Sequence, residues 1–149
     1  AEVSEVFAKA NVLIDNSIGD AGDVDTAITT LLFENGAIGT IDNSRKAVYG
    51  YDQRIEVFGS EGMIMIDNNT PDNHAYYNEN GIHGPLPLHF FMDRYIESYT
   101  YEMEAFINAL AEDKELPVSG KDGLMSVAIS LAAKKSVVEN RPVKLDEII

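Results

Sequence analysis

Apolar and polar positions alternate from the start of the chain, with Val6, Ala8, Ala10, Val12 and Ile14 at period two within residues 2–14. That spacing predicts a strand with one buried face. Residues 15–23 (Asp-Asn-Ser-Ile-Gly-Asp-Ala-Gly-Asp) are turn chemistry and predict an exposed loop. Residues 26–33 and 37–44 read as two further strands around Glu34-Asn35-Gly36. Asn-Gly supplies the positive φ angles of a type I′ turn, so a hairpin is expected there. A second hairpin is expected from residues 51–58 and 63–66, joined by Gly59-Ser60-Glu61-Gly62. Residues 67–90 are polar and hold three of the five prolines, with a short strand expected only at 75–77.

The period then becomes helical. Ile96, Tyr99, Met103, Phe106, Ile107 and Leu110 recur at spacings of three and four, which predicts one buried helix face. Ser119 with Asp122 three residues on forms a capping-box pattern, and opens a second helix whose buried stripe is expected at Leu124, Val127, Ala128, Leu131 and Ala132. Asn140-Arg141-Pro142 should stop that helix, and Val143-Lys144-Leu145 should return as an edge strand. Strands followed by helices, without strict alternation, indicate an α+β fold: an open, largely antiparallel β-sheet with helices packed on one face. No repeat, low-complexity tract or linker divides the chain, so residues 1–149 are expected to form a single domain. The strand at 26–33 is apolar on both sides, with Ile28 and Leu32 on one and Ala27, Leu31 and Phe33 on the other. That pattern fits a sheet whose second face also meets a partner.

Charge narrows the partners. Eleven Lys and Arg stand against 25 Asp and Glu, a formal net charge of −14. Such a field repels phosphate backbones and anionic lipid, so neither nucleic acid nor a membrane surface is an expected partner. No window approaches the roughly 18 consecutive apolar residues of a membrane span, and no secretory signal pattern is visible. The chain has no cysteine, which excludes a disulfide scaffold, a thiol nucleophile and Cys-ligated metal. A cytoplasmic location is the expectation. The chain begins at Ala1-Glu2-Val3 and enters a strand pattern at once, so a piece of a longer protein is expected.

Few residues offer chemistry. Gly59-Ser60-Glu61-Gly62 is no dinucleotide fingerprint, and no phosphate-binding loop is present. His74, His83 and His89 lack metal-ligand spacing, so no metal site is expected. Asp20, Asp23 and Asp25 fail the calcium-loop pattern and read as an acidic solvated turn. No serine or threonine sits in a nucleophile-elbow context. The sequon Asn68-Asn69-Thr70 carries meaning only on a secretory route. One stretch stands apart: residues 42–54, Asp-Asn-Ser-Arg-Lys-Ala-Val-Tyr-Gly-Tyr-Asp-Gln-Arg, are dense in hydrogen-bonding side chains. Tyr49 and Tyr51 share parity around Gly50, so in an extended chain both hydroxyls reach one side. Such a cluster suits a polyol, which needs several convergent donors and acceptors. It equally suits an ordinary polar strand edge with two half-buried tyrosines.

At these residues the chain resembles a known family. The runs 32–45 (Leu-Phe-Glu-Asn-Gly-Ala-Ile-Gly-Thr-Ile-Asp-Asn-Ser-Arg) and 49–62 (Tyr-Gly-Tyr-Asp-Gln-Arg-Ile-Glu-Val-Phe-Gly-Ser-Glu-Gly) are similar to the inositol dehydrogenase branch of the Gfo/Idh/MocA oxidoreductases. Ser119-Gly120-Lys121-Asp122-Gly123-Leu124, Ala132-Ala133-Lys134-Lys135-Ser136 and Asn140-Arg141-Pro142-Val143 agree, and the likeness spans nearly the whole chain. The tail motifs belong to the broad family; the Tyr-Gly-Tyr-Asp-Gln-Arg block points to the inositol branch.

The resemblance implies that this chain is the C-terminal domain only, of the dihydrodipicolinate-reductase-like type. That domain supplies part of the substrate pocket and the oligomer contacts, tetrameric in the parent. The cofactor fingerprint and the catalytic residues lie in an N-terminal Rossmann domain outside this chain, so no catalytic residue is carried over and the chain alone should bind no cofactor. For the parent, the resemblance implies oxidation of myo-inositol to its 2-keto product, with hydride passing to NAD. By matching position, Tyr49 or Tyr51 would donate a hydrogen bond to a substrate hydroxyl. Asp52 and Arg45 are further candidates for the pocket, unless they pair with each other or with Arg54. A purely structural self-association module, and a sibling enzyme for another cyclitol or sugar, remain alternatives.

Overall fold

A computed structural model describes residues 1–149. The chain divides into two compact units, one built from Ala1–Lys46 and Val118–Ile149, the other from Ala47–Pro117. The second is an insertion between strand and helix of the first. No composition shift marks its borders, which is why the sequence reads as one domain.

The first unit contains β1 (Val3–Asn11), the short helix α1 (Asn16–Asp20), β2 (Thr26–Phe33), β3 (Ile38–Ser44), α3 (Gly120–Glu139), β8 (Val143–Lys144) and a closing 3₁₀ turn (Leu145–Glu147). The second holds β4 (Ile55–Gly59), β5 (Gly62–Ile66), β6 (Tyr76–Asn78), β7 (Gly81–His83) and α2 (Phe91–Ala111). Four strands of the first unit form an open, fully antiparallel sheet in the order β3-β2-β1-β8. The predicted edge strand is β8, which pairs with β1 at Glu5–Lys144 and Val6–Val143.

Register assigns the faces. Val6 opposes Leu31, which opposes Gly39; Ala8 opposes Thr29, which opposes Ile41. This face meets α3, and the core is Val6, Leu31, Ala128, Ala132, Val143 and Leu145 with Phe33, Met125 and Ile129 packed around it. The opposite face presents Ile28, Leu32 and Ile38, all exposed, the last at 72%. The split of Ile28 and Leu32 from Leu31 is the one the alternation predicts.

Four local expectations are corrected. Residues 16–20 form a helical turn, because the Asp15 carboxylate caps the Ser17 amide at 2.9 Å. The 33–37 turn is not type I′. Gly36 has φ +84° whereas Asn35 keeps a negative φ, the Gly36 amide donates to the Phe33 carbonyl, and the Phe33 amide donates to Ala37. This is a tight turn closed by a left-handed glycine, the three-residue alternative for hairpins. The stripe on α3 is also different: Ala128, Ala132 and Ser136 are buried, while Leu124, Val127 and Leu131 are at least half exposed. Small side chains four apart let the helix axis sit close to β1. The larger ones then face away. On α2 the predicted face from Ile96 to Leu110 is exposed throughout, and Ala109 is the buried residue.

Both ends of α3 follow their sequence signals. The Asp122 carboxylate accepts from the Ser119 amide and hydroxyl, each at 2.7 Å. Asn140 ends the helix in the left-handed conformation, φ +53°. Close by, Arg141 grips Glu147 with two nitrogens at 2.9 and 2.7 Å, and Lys135 adds a third bond at 2.9 Å. These cations hold the Glu147 carboxyl well below the usual carboxylate range.

Candidate functional site

The Tyr-Gly-Tyr-Asp-Gln-Arg block lies in the second unit, where its side chains build one polar network. Asp52 is the hub. Its Oδ1 accepts from Arg54 Nε at 2.9 Å and Asn68 Nδ2 at 2.6 Å, and its Oδ2 accepts from Arg54 Nη2 at 2.9 Å and from the Tyr49 hydroxyl. Its side chain is only 15% exposed. Asn68 is held from its other end, because its Oδ1 accepts from the Gln53 amide at 2.8 Å and from Arg94 Nη1 at 3.1 Å. Arg94 reaches back to the Gln53 carbonyl at 2.9 Å and anchors the network to α2.

The backbone explains how the two tyrosines are placed. Residues 47–50 form a turn, and Gly50 takes φ +141°. A Cβ there would stand 2.6 Å from the Pro87 carbonyl oxygen, so only glycine lets the chain pass. Just beyond, the Tyr51 amide donates to the Leu88 carbonyl at 2.9 Å, and the Leu88 amide donates to Asn69 at 3.1 Å. Parity therefore does not govern the pair: an extended chain is needed for that, and Gly50 breaks it. Tyr49 turns to Asp52. The Tyr51 ring packs against Phe91 and edge-on to Tyr95, with centroids at 6.3 and 6.0 Å. Burial, and then a hydrogen bond with Tyr51, push the Tyr95 hydroxyl above its ordinary range.

Electrostatics limit what the cluster can do. Arg54 first, then Tyr49 and Asn68, lower the Asp52 carboxyl to about 2. The same contact with Asp52 pushes the Tyr49 phenol up, so it keeps its proton. A general base or acid works best with a pKa near the operating pH. Neither group has one, so the network is not suited to general acid or base work. Beside it Gln53, Asn69, Arg94, Tyr95 and Ser98, with Ile55 and Ile66, line a shallow hollow of about 260 Å³.

Other candidates fall elsewhere. Arg45 is exposed in the first unit, and its amide donates to the Asp25 carbonyl at 2.8 Å. Asp25 is not a solvated turn residue. It is 5% exposed and accepts from the amides of Leu13, Ile14 and Asp15 at 2.8–2.9 Å and from the Thr26 hydroxyl. His74 pairs with Asp72, and no group of three or more His, Asp or Glu is arranged to hold a metal ion. A larger groove of about 490 Å³ beside α3 is walled mostly by apolar side chains such as Ala10, Ala27, Ile41, Ile129 and Val138, with Asp23, Asn43 and Lys134 also on its lining. No helix is long and apolar enough to cross a membrane. Asn68 and Arg94 escaped the sequence reading because their partners lie 16 and 26 residues away without a fixed spacing. Glu79 and Asn80 form the two-residue loop between β6 and β7, with Gly81 paired to Asn78.

Every paired strand is antiparallel, and no strand runs through a Gly-rich turn into a helix as a nicotinamide cofactor requires.

Comparisons agree with this architecture. Myo-inositol 2-dehydrogenase of Thermotoga maritima is 52% identical over 99% of this chain, which spans 44% of that protein. The NAD(+)-type scyllo-inositol 2-dehydrogenase of Bacillus subtilis is 30% identical over 98% of the chain, which spans 42% of it. A crystal structure of a "probable dehydrogenase" from Thermotoga maritima superposes with a TM-score of 0.96 at 52% identity, covering 99% of this chain and 44% of that one. The chain thus spans less than half the length of the relatives it matches. The Gfo/Idh/MocA model described as "Oxidoreductase family, C-terminal alpha/beta domain" matches residues 2–145, and the chain belongs to that family.

Proposed function

We propose that this chain is the substrate-side domain of an NAD-dependent inositol 2-dehydrogenase, the parent enzyme converting myo-inositol to its 2-keto product. The observation that carries the reading is the Asp52-centred network, which fixes a phenol at the head of the Tyr-Gly-Tyr block and shares Gln53 and Arg94 with a shallow hollow of mixed lining. A cyclitol presents hydroxyls in every direction, and neutral groups locked in place suit its recognition better than mobile charges. Tyr49 and Tyr51 are the proposed polyol contacts, with Asp52 at the same site. Relatives named for myo- and scyllo-inositol support the substrate class, and the NAD(+) in one of those names supports the cofactor. The part of the parent outside this chain would hold the cofactor and the reacting groups, so this chain alone is proposed to be inactive.

The test is NADH formation from NAD and myo-inositol by the intact enzyme that carries this domain, beside this chain alone. Turnover by the former and none by the latter is expected. An intact enzyme inert toward every inositol epimer would shift the reading to another sugar or polyol.

A second role is proposed for the uncovered sheet face. Ile28, Leu32 and Ile38 form an apolar strip across β2 and β3, where Leu32 and Ile38 are direct cross-strand partners. A second copy of the chain is the proposed occupant, leading to a homo-oligomer and, in the parent, a tetramer.

A further inference from the structure

The hydrogen-bond inventory at Asp52 sets the direction of a bond that has yet to form. An ionised carboxylate offers about four lone-pair directions and no donor. Here all four are occupied: two by Arg54, one by Asn68 and one by Tyr49. A polyol hydroxyl could donate to Asp52 only by displacing one of them. Tyr49 has a single hydroxyl proton, and Asp52 already receives it. The Arg54 guanidinium also faces the Tyr49 oxygen, so what Tyr49 still presents is one free oxygen lone pair, on a residue that remains 41% exposed. Arg94 and the Gln53 amide brace Asn68 from behind, so the carboxylate cannot turn without breaking further bonds.

We propose that Tyr49 accepts, and does not donate, the hydrogen bond it makes with a polyol hydroxyl, and that Asp52 is the positioning residue that fixes this polarity. The inference rests on the reading of Tyr49 as a substrate contact given above. It carries a specificity rule: at the ring position facing Tyr49 the substrate must bring a hydroxyl able to donate, whereas a group that only accepts is repelled by the phenol oxygen.

The experiment uses the intact dehydrogenase and its Tyr49→Phe variant with mono-deoxy inositols, each ring position in turn. The deoxy compound whose kcat/KM is least changed by Tyr49→Phe marks the position that faces Tyr49. The deoxyfluoro inositol at that position is then compared with the deoxy compound, because fluorine accepts weakly and cannot donate. Taking the fluoro-to-deoxy ratio in the wild type relative to Tyr49→Phe cancels the inductive effect of fluorine on hydride loss. An accepting Tyr49 makes the fluoro compound worse by about threefold or more on this relative scale, and inositol itself loses about fivefold in the variant, as one neutral hydrogen bond implies. A fluoro compound that is relatively better in the wild type would show a donating Tyr49 and overturn the polarity. In that case Tyr49 is still a contact, and the functional reading stands. Unchanged turnover of inositol by Tyr49→Phe would instead remove Tyr49 from the pocket, and the inference with it. Asp52→Asn adds a cycle: its effect on the ratio must vanish in the Tyr49→Phe background, and an equal effect in both backgrounds would overturn the positioning role.

Discussion

A Cβ built on Gly50 stands 2.6 Å from the carbonyl oxygen of Pro87, closer than real Cβ atoms come to any backbone atom. The two residues thus lock the Tyr49–Tyr51 turn against the 85–88 segment. Gly50→Ala must push that segment away and must also hold alanine at φ +141°. The strain is on the order of 1–3 kcal/mol, and the Tyr51–Leu88 backbone bond is the first casualty. Thermal unfolding followed by circular dichroism should show a drop for Gly50→Ala. Gly59→Ala should differ little from wild type, because its Cβ meets only the Gly62 oxygen at 3.6 Å. In the intact enzyme, kcat/KM should fall about tenfold or more as the phenol moves.

Ser136 joins α3 to two other elements. Its hydroxyl oxygen accepts from the Ala8 amide at 2.9 Å and donates to the Arg141 carbonyl at 2.6 Å, and its side chain is fully buried. The edge strand β8 pairs only as far as Val6, so Ser136 takes over the ladder where the strand runs out. Ser136→Ala leaves a buried donor and a buried acceptor unpaired, at about 1–3 kcal/mol. Urea denaturation should show that loss, with an unchanged slope. Ser130→Ala is the comparison, since that exposed hydroxyl bonds only to Ser126 one turn back in the same helix, and its midpoint should barely move.

These two sites show where the sequence is legible. Features decided within a few residues are readable: the alternation of β1 and β2, the Ser119–Asp122 cap, the Asn140-Arg141-Pro142 stop and β8 beyond it. The polar block at 42–54 was also visible, and it contains the hub of the network. Relations made across the fold were not. Asp25 looks like its acidic neighbours, yet its partners are amides 10 to 12 residues upstream. Leu124, Val127 and Leu131 have the right period for a core stripe, yet where α3 comes closest to β1 the fully buried positions are Ala128, Ala132 and Ser136, with Met125 and Ile129 packed at the side. The parity of Tyr49 and Tyr51 holds for a strand, and the contact at Gly50 makes a turn instead.

Asp25 also makes stability depend on acid. Burial raises its carboxyl, and the amides of Leu13, Asp15 and Ile14 with the Thr26 hydroxyl outweigh that and bring it down to about 2, from an ordinary 3.8. A carboxyl with a depressed folded value stabilises the fold above the unfolded value and loses that contribution as pH falls. Asp52, lowered by Arg54 first and held at about 2, acts in the same direction. Stability should therefore be flat above about pH 5 and decline from there to about pH 2, Glu147 acting in the same direction. Asp25→Asn should lower the melting temperature at neutral pH, and the gap to wild type should close across that same window. A gap of constant size down to pH 2 would show that the charge on Asp25 contributes nothing to the fold.

The open sheet face allows a test that separates assembly from folding. Ile28, Leu32 and Ile38 are exposed at 53%, 39% and 72%, so replacing them with charge removes little buried area within the chain. Lys9 and Asp42 flank Ile28 as cross-strand neighbours, so the strip already has a polar margin at one end and its apolar part is Leu32 with Ile38 at the other. An interface between two copies would desolvate that apolar part, and a pair of carboxylates there would face each other across a symmetry axis without a counter-charge. The double variant Leu32→Glu, Ile38→Glu should keep its melting temperature within a few degrees of the monomeric wild type, since surface changes of this kind usually lie within about ±0.5 kcal/mol. Light scattering at high micromolar concentration should show the wild-type chain heavier than one copy and the variant at one copy. A wild-type chain that is already a monomer there would withdraw the assembly role from this face, while a variant that stays associated would move the interface to another surface.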